Sequence, residues 1–126
     1  DQAADFAADV AALGKRALVV TGGGSVQRLG YLDTVTTALK KAGLAVDHFG
    51  GVEPNPNAPT VNKAAEQGRT FKADVVVPVG GGSAMDAAKA IAALVHTGEP
   101  DVWPFVSGQP RAGQLAGALP VAAVPT

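Results

Sequence analysis

The chain has 126 residues, of which 47% are hydrophobic and 17% are charged, and it contains no cysteine. This composition fits one domain with a real core, and a formal net charge of -1 argues against a general nucleic-acid binder. Disulfides and thiolate metal sites are excluded. No apolar run reaches the roughly 18–20 residues that cross a bilayer, and no basic signal segment leads the chain, so a cytoplasmic location is expected.

Helix and strand patterns alternate along the chain. Helices are predicted over residues 4–13, 32–41, 60–72 and 84–96, and strands over residues 17–20, 44–49, 73–79 and 119–124. A short helix is expected near Trp103, within the connection that spans residues 97–117. Short, continuous apolar strands between helices predict a three-layer α/β domain, with helices on both faces of a parallel sheet. Ligands of such sheets bind beyond the carboxyl ends of the strands.

A glycine-rich turn follows the third predicted strand. Its members are Gly80, Gly81, Gly82 and Ser83. Glycines let backbone N–H groups approach a phosphate, and the next helix directs its positive end to the same place, so a phosphate site is predicted. Ser83 is expected to be the helix N-cap, with Asp86 as its capping partner. An ordinary tight turn is the alternative, because the strict G-x-G-x-x-G pattern is absent. Asp86 either faces the cofactor cleft or pairs with Lys89 on the helix surface.

The first predicted strand is also followed by a glycine-rich turn, called the first glycine turn because it comes earlier in the chain. Its members are Gly22, Gly23, Gly24 and Ser25. No acid lies between Ala17 and Leu32 to hold the hydroxyls of an adenosine ribose, whereas Ser25 and Arg28 suit an additional phosphate. The turn therefore favours NADP over NAD, with NAD still possible. The alternative is a loop in which Arg28 faces solvent.

Four segments carry a family resemblance. They are GGGSAMDAAKA at residues 80–90, GVEPNP at 51–56, ALVVT at 17–21 and LPVAAVPT at 119–126. The first resembles the GGGSxxDxAKA signature of the iron-containing (group III) alcohol dehydrogenases. ALVVT resembles that family's first nucleotide-binding strand, GVEPNP resembles the loop after its second strand, and LPVAAVPT resembles the start of its PIPTT segment. The four segments follow one another in the family's order.

The resemblance implies a Rossmann-like domain of a metal-dependent oxidoreductase. Such an alcohol dehydrogenase or aldehyde reductase interconverts alcohols with aldehydes or ketones by hydride exchange with NAD(P), beside a divalent iron or zinc ion. By position, the resemblance implies that Gly81, Gly82 and Ser83 contact the pyrophosphate. It also implies that Asp86 lies near the nicotinamide ribose and that Thr126 lines the nucleotide site. Gly22 stands where NAD-preferring members have Asp, as in the NADP-preferring aldehyde-reductase branch.

The family's metal ligands, an Asp and three His, belong to a second, helical domain. No segment of residues 1–126 resembles that domain. We therefore expect residues 1–126 to be an NAD(P)-binding fragment, with no catalytic residue and no metal ligand, that binds cofactor without turnover. His48 is expected at the surface where the second strand closes. His96 is expected to interact with the carboxyl end of a helix dipole.

Two other interpretations stay open. One is a stand-alone, non-catalytic nucleotide-binding or interaction module. The other is a dehydroquinate-synthase-like or glycerol-dehydrogenase-like phosphate binder, although glycerol-dehydrogenase-like members tend to have lysine where this chain has Ser83. The expected partners are a nicotinamide dinucleotide and, in the parent enzyme, a small alcohol or aldehyde. A homo-oligomer is possible, and no nucleic acid or membrane is expected.

Overall fold

The computed structural model describes residues 2–22, 26–52, 57–80, 82–105 and 117–124. Within this part of the chain, helices and strands alternate. The α-helices are α1 (Gln2–Leu13), α2 (Val26–Lys41), α3 (Ala58–Phe71) and α4 (Gly82–Thr97). The strands are β1 (Arg16–Gly22), β2 (Ala45–Val52) and β3 (Val75–Val79). A turn of 3₁₀ helix at Trp103–Phe105 lies where the short helix is expected.

The strands form a parallel sheet in the order β2-β1-β3. On the central strand, Val19 is aligned with His48 of β2 and with Val77 of β3. Every residue of β3 is buried, as a continuous apolar run predicts for a strand covered on both faces. The predicted α/β class with a parallel sheet is confirmed.

Helices cover both faces of this sheet. Helices α3 and α4 pack on one face against Leu18, Val20 and Val76. Helices α1 and α2 pack on the other face, which includes Val19 and Val77. Because successive side chains of a strand point to opposite faces, one apolar run in each strand supplies both cores. This arrangement gives the three predicted layers.

The predicted fourth strand is reduced to an isolated parallel bridge between Val121 and Val76 of β3. The Val76 N–H donates to the carbonyl of Pro120 at 3.0 Å, and the Ala122 N–H donates to the carbonyl of Val76 at 2.9 Å. In a parallel ladder the next donor on this side of β3 would be residue 78. That residue is Pro78, which has no N–H, so the ladder cannot continue regularly.

Helix α2 begins six residues earlier than the sequence predicts, at Val26. Its early part contains Gly30, which costs a helix only about 1 kcal/mol relative to alanine and does not stop it. The helix ends at the predicted place. Gly43 has a φ of 96°, and the N–H of Leu44 donates to the carbonyl of Leu39 at 3.1 Å. This is a Schellman ending, which needs the positive φ that glycine adopts most easily.

A carboxylate joins the amino ends of β1 and β3. Asp74, immediately before β3, accepts hydrogen bonds from the backbone N–H of Lys15 at 3.0 Å and of Arg16 at 2.8 Å. Gly14 makes room for it, since a Cβ at this position would lie 2.8 Å from the Asp74 Cγ. The Arg16 guanidinium also stacks 4.3 Å from the centre of the Phe71 ring at the end of α3. These contacts fix where β1 begins relative to its neighbours.

We expect Gly14→Ala to destabilise the domain by about 1–3 kcal/mol, because the new Cβ would overlap the Asp74 carboxylate and disturb its hydrogen bonds. The matched control is Gly30→Ala. It adds the same methyl group to an exposed site in α2 with nothing within 4 Å, where alanine should stabilise by up to about 1 kcal/mol. Urea unfolding measures both values. Equal effects of the two substitutions would contradict this account of Gly14.

Candidate functional site

The two glycine turns begin side by side at the carboxyl edge of the sheet. Strands β1 and β3 are neighbours, and Thr21 is aligned with Val79. Gly22 ends β1 and Gly80 follows β3, so the structure brings these two predicted site residues to the same edge. The other predicted members at residues 23–25, 81 and 126 lie outside the described residues, and their contacts stay predictions.

The backbone at Gly80 has a φ of 126°, in a region that residues with a side chain rarely adopt. This conformation lets the chain leave β3 at Val79 and enter α4 at Gly82. The first N–H groups of α4 have no acceptor within the helix, and the helix dipole places partial positive charge there. Backbone N–H groups without an acceptor at the start of a helix suit a phosphate.

Small side chains hold α4 close to the sheet. Ala84, Ala87 and Ala88 are buried, and the last two belong to the core that also contains Val76 of β3. The alanine-rich pattern of this helix is therefore used for close packing, as expected. The packing fixes the direction of α4, and so it fixes the place to which the first turn of the helix points.

One expectation about this turn is wrong. Ser83 is predicted to cap the helix, but α4 begins at Gly82, so Ser83 lies in the first turn. A serine cap at Ser83 would require the helix to begin at Ala84, whereas it begins two residues earlier, at Gly82. Asp86 is consequently the fifth helical residue rather than a capping partner, and its side chain is exposed. Exposure leaves its carboxylate available to a ligand or to solvent.

A polar pair lies beside the first glycine turn. The hydroxyl oxygen of Thr21 and the Nε2 atom of His48 are 2.7 Å apart, which joins β1 to β2 by a side-chain hydrogen bond. Gly50 is close to both, since a Cβ there would lie 2.9 Å from the His48 Cε1 and 3.3 Å from the Thr21 hydroxyl oxygen. Partial burial lowers the pKa of His48, and the negative charge of Asp47 opposes this effect.

Sequence reasoning missed this pair. It places His48 at the closing end of the second strand, whereas the structure places it inside β2, aligned with Val19. The exposure expected for its side chain is confirmed. Only the register of β1 against β2 could have revealed this pair. His48 is aligned with Val19, and Thr21 lies two residues further along β1 on the same face.

Within the described residues, no group of three His, Cys, Asp or Glu side chains is arranged to hold a metal ion. His96 is the second-last residue of α4 and is exposed. No helix in the described part of the chain is both long and apolar enough to cross a membrane.

Comparisons with known proteins agree with this geometry. The family model "Iron-containing alcohol dehydrogenase" matches residues 1–126. NADH-dependent butanol dehydrogenase A of Clostridium acetobutylicum is 41% identical over 113 residues, which are 90% of this chain and 28% of that protein. The NADPH-dependent aldehyde reductase YqhD of Escherichia coli is 40% identical over 111 residues, which are 88% of this chain and 28% of that protein.

A solved structure shows the same fold. An archaeal halo-thermophilic Red Sea brine pool alcohol dehydrogenase, ADH/D1, superposes with a TM-score of 0.82 at 34% identity, over 97% of this chain and 32% of that one. The fold and the glycine edge thus define a Rossmann-like α/β domain. The chain belongs to the iron-containing alcohol dehydrogenase family, and it spans 28% of the length of each of the two relatives named above.

We expect the imidazole of His48 to titrate below the usual value of about 6.5, because its partial burial disfavours the charged form. Asp47→Asn should lower this pKa further, because it removes the negative charge that favours the imidazolium. The amide oxygen of the new residue can still accept the backbone N–H of His48. Titration of the imidazole C–H resonances by NMR measures both values, and a rise on Asp47→Asn would contradict the assigned cause.

Proposed function

We propose that this chain is the nicotinamide-cofactor-binding domain of a metal-dependent alcohol dehydrogenase or aldehyde reductase. The observation that carries the proposal is the turn from β3 to α4. There, Gly80 has a positive φ and α4 begins two residues later, at Gly82, while Thr21, the residue before Gly22, is aligned with Val79 at the end of β3, on the carboxyl edge of the sheet. Free N–H groups at such an edge bind the pyrophosphate of a dinucleotide.

The proposed cofactor is NADP, held across both turns. Gly80, Gly81, Gly82 and Ser83 hold the pyrophosphate, and Gly22, Gly23, Gly24 and Ser25 hold the additional phosphate on the adenosine ribose. Asp86 lies near the nicotinamide ribose, and Thr126 lines the nucleotide site. The exposed carboxylate of Asp86 supports this role for it. The relatives include NADPH-dependent and NADH-dependent proteins, so the preference for NADP rests on the first turn.

The proposed reaction of the parent enzyme is hydride transfer between NADP and a small alcohol, aldehyde or ketone. A divalent iron or zinc ion, when bound, polarises the substrate oxygen in such enzymes. Its ligands are proposed to lie outside residues 1–126. The residues of this chain bind and orient the cofactor, and without the metal domain they bind it with no turnover.

Gly80→Ala tests the proposed pyrophosphate turn. The new Cβ opposes the φ of 126°, so the turn should shift and the affinity for NADPH should fall by about tenfold or more. The enhancement of NADPH fluorescence on binding to the 126-residue chain gives the dissociation constant.

The matched control is Gly43→Ala, at the end of α2. Gly43 also has a positive φ, 96°, and a methyl group added there would have nothing within 4 Å, so alanine strains the backbone far from the proposed site. It should lower stability and leave NADPH affinity unchanged. Unchanged affinity in Gly80→Ala, or equal losses in both variants, would contradict the proposal.

A further inference from the structure

An imidazole stands directly beside the first glycine turn. The Nε2 atom of His48 lies 2.7 Å from the hydroxyl oxygen of Thr21, and Thr21 is the residue before Gly22. Gly50 has no side chain, which makes room for the His48 ring, since a Cβ at Gly50 would lie 2.9 Å from the His48 Cε1 atom. Two strands and one glycine therefore direct the ring towards the carboxyl edge of the sheet.

The ring also lies on the face of the sheet that α2 covers, and α2 is the helix that follows this turn. Val46, two residues before His48, packs with the core that includes Val35 and Leu39 of α2. Side chains two apart on a strand share a face, so His48 is on the α2 side. Its ring is exposed on this side, next to the residue that precedes Gly22.

The acid on β2 points the other way. Asp47 is the one acidic residue in β2, and its carboxylate accepts a hydrogen bond from the Nε2 atom of Gln67 on α3 at 3.1 Å. Helix α3 covers the opposite face of the sheet. The α2 side of β2, beside the turn, thus presents an imidazole.

We propose that His48 is a further cofactor-binding residue, which contacts the 2′-phosphate of NADP while Thr21 holds its ring in place. This inference rests on the function proposed above. The imidazole supplies an N–H donor and accepts a proton when a phosphate dianion lies next to it. An unphosphorylated ribose receives no such charge-assisted bond, so the contact favours the phosphorylated nucleotide.

The test uses two probes that differ only in the 2′-phosphate, adenosine 2′,5′-bisphosphate and adenosine 5′-monophosphate. Calorimetric titration of the 126-residue chain gives the ratio of their affinities. His48→Gln keeps a donor of similar reach but cannot take a proton, and it should reduce the preference for the bisphosphate by about tenfold. Thr21→Val removes the hydroxyl that holds the ring, and it should reduce the same ratio.

The control is His96→Gln, the same substitution at the exposed histidine near the end of α4, which should leave the ratio unchanged. If both nucleotides bind and His48→Gln leaves the ratio unchanged, the inference is wrong and the proposed function stands. An equal loss of both nucleotides in His48→Gln would show a structural role and also overturn it. If neither nucleotide nor NADPH binds the unaltered chain, the proposed function fails and the inference fails with it.

Discussion

The burial of β1 on both faces is the constraint on which the rest of the structure depends. Residues 17–20 have no exposed surface, and each larger apolar side chain removed from water in this way contributes about 1.5–3 kcal/mol. Helices must cover both faces to achieve this burial, and parallel strands must flank both edges. Since parallel strands all end at one edge, the same constraint places the two glycine turns next to each other.

The amino ends and the carboxyl ends of the strands carry different groups. At the amino edge, the carboxylate of Asp74 binds the backbone of Lys15 and Arg16 and fixes the start of β1. At the carboxyl edge, β1 ends in Gly22 and Gly80 follows β3, and α4 begins after only two intervening residues. The proposed phosphate site uses the backbone N–H groups at the start of α4, and the packing of α4 on the sheet holds that start in place before a ligand arrives.

Much of the fold could be predicted from the sequence, because its determinants are local. Continuous apolar runs predict β1 and β3, and Gly43 predicts the end of α2. Pro78 has no N–H to donate, so the weak pairing of the fourth strand could also have been predicted if it had been known which side of β3 that strand joins. That side depends on the sheet order, which single-sequence patterns do not give.

The candidate site could also be predicted only in part from the sequence. The glycine turns are visible as a sequence pattern because glycine has a specific backbone role, and the family match to residues 1–126 agrees with them. The pair formed by Thr21 and His48 is not visible, since its members are 27 positions apart and meet only through the register of β1 against β2. The sequence places Asp86 on the right helix, but its position relative to the start of α4 depends on where Gly82 enters that helix.

The central claim is that a dinucleotide lies across the carboxyl edge of this sheet, between the turns at Gly22 and Gly80. A crystal structure of the chain grown with NADPH tests it most directly. The account predicts that the pyrophosphate lies against the backbone N–H groups at the start of α4 and that the adenosine ribose lies at the end of β1. A nucleotide bound elsewhere, for instance between α1 and α2 or at the amino edge near Asp74, would contradict it.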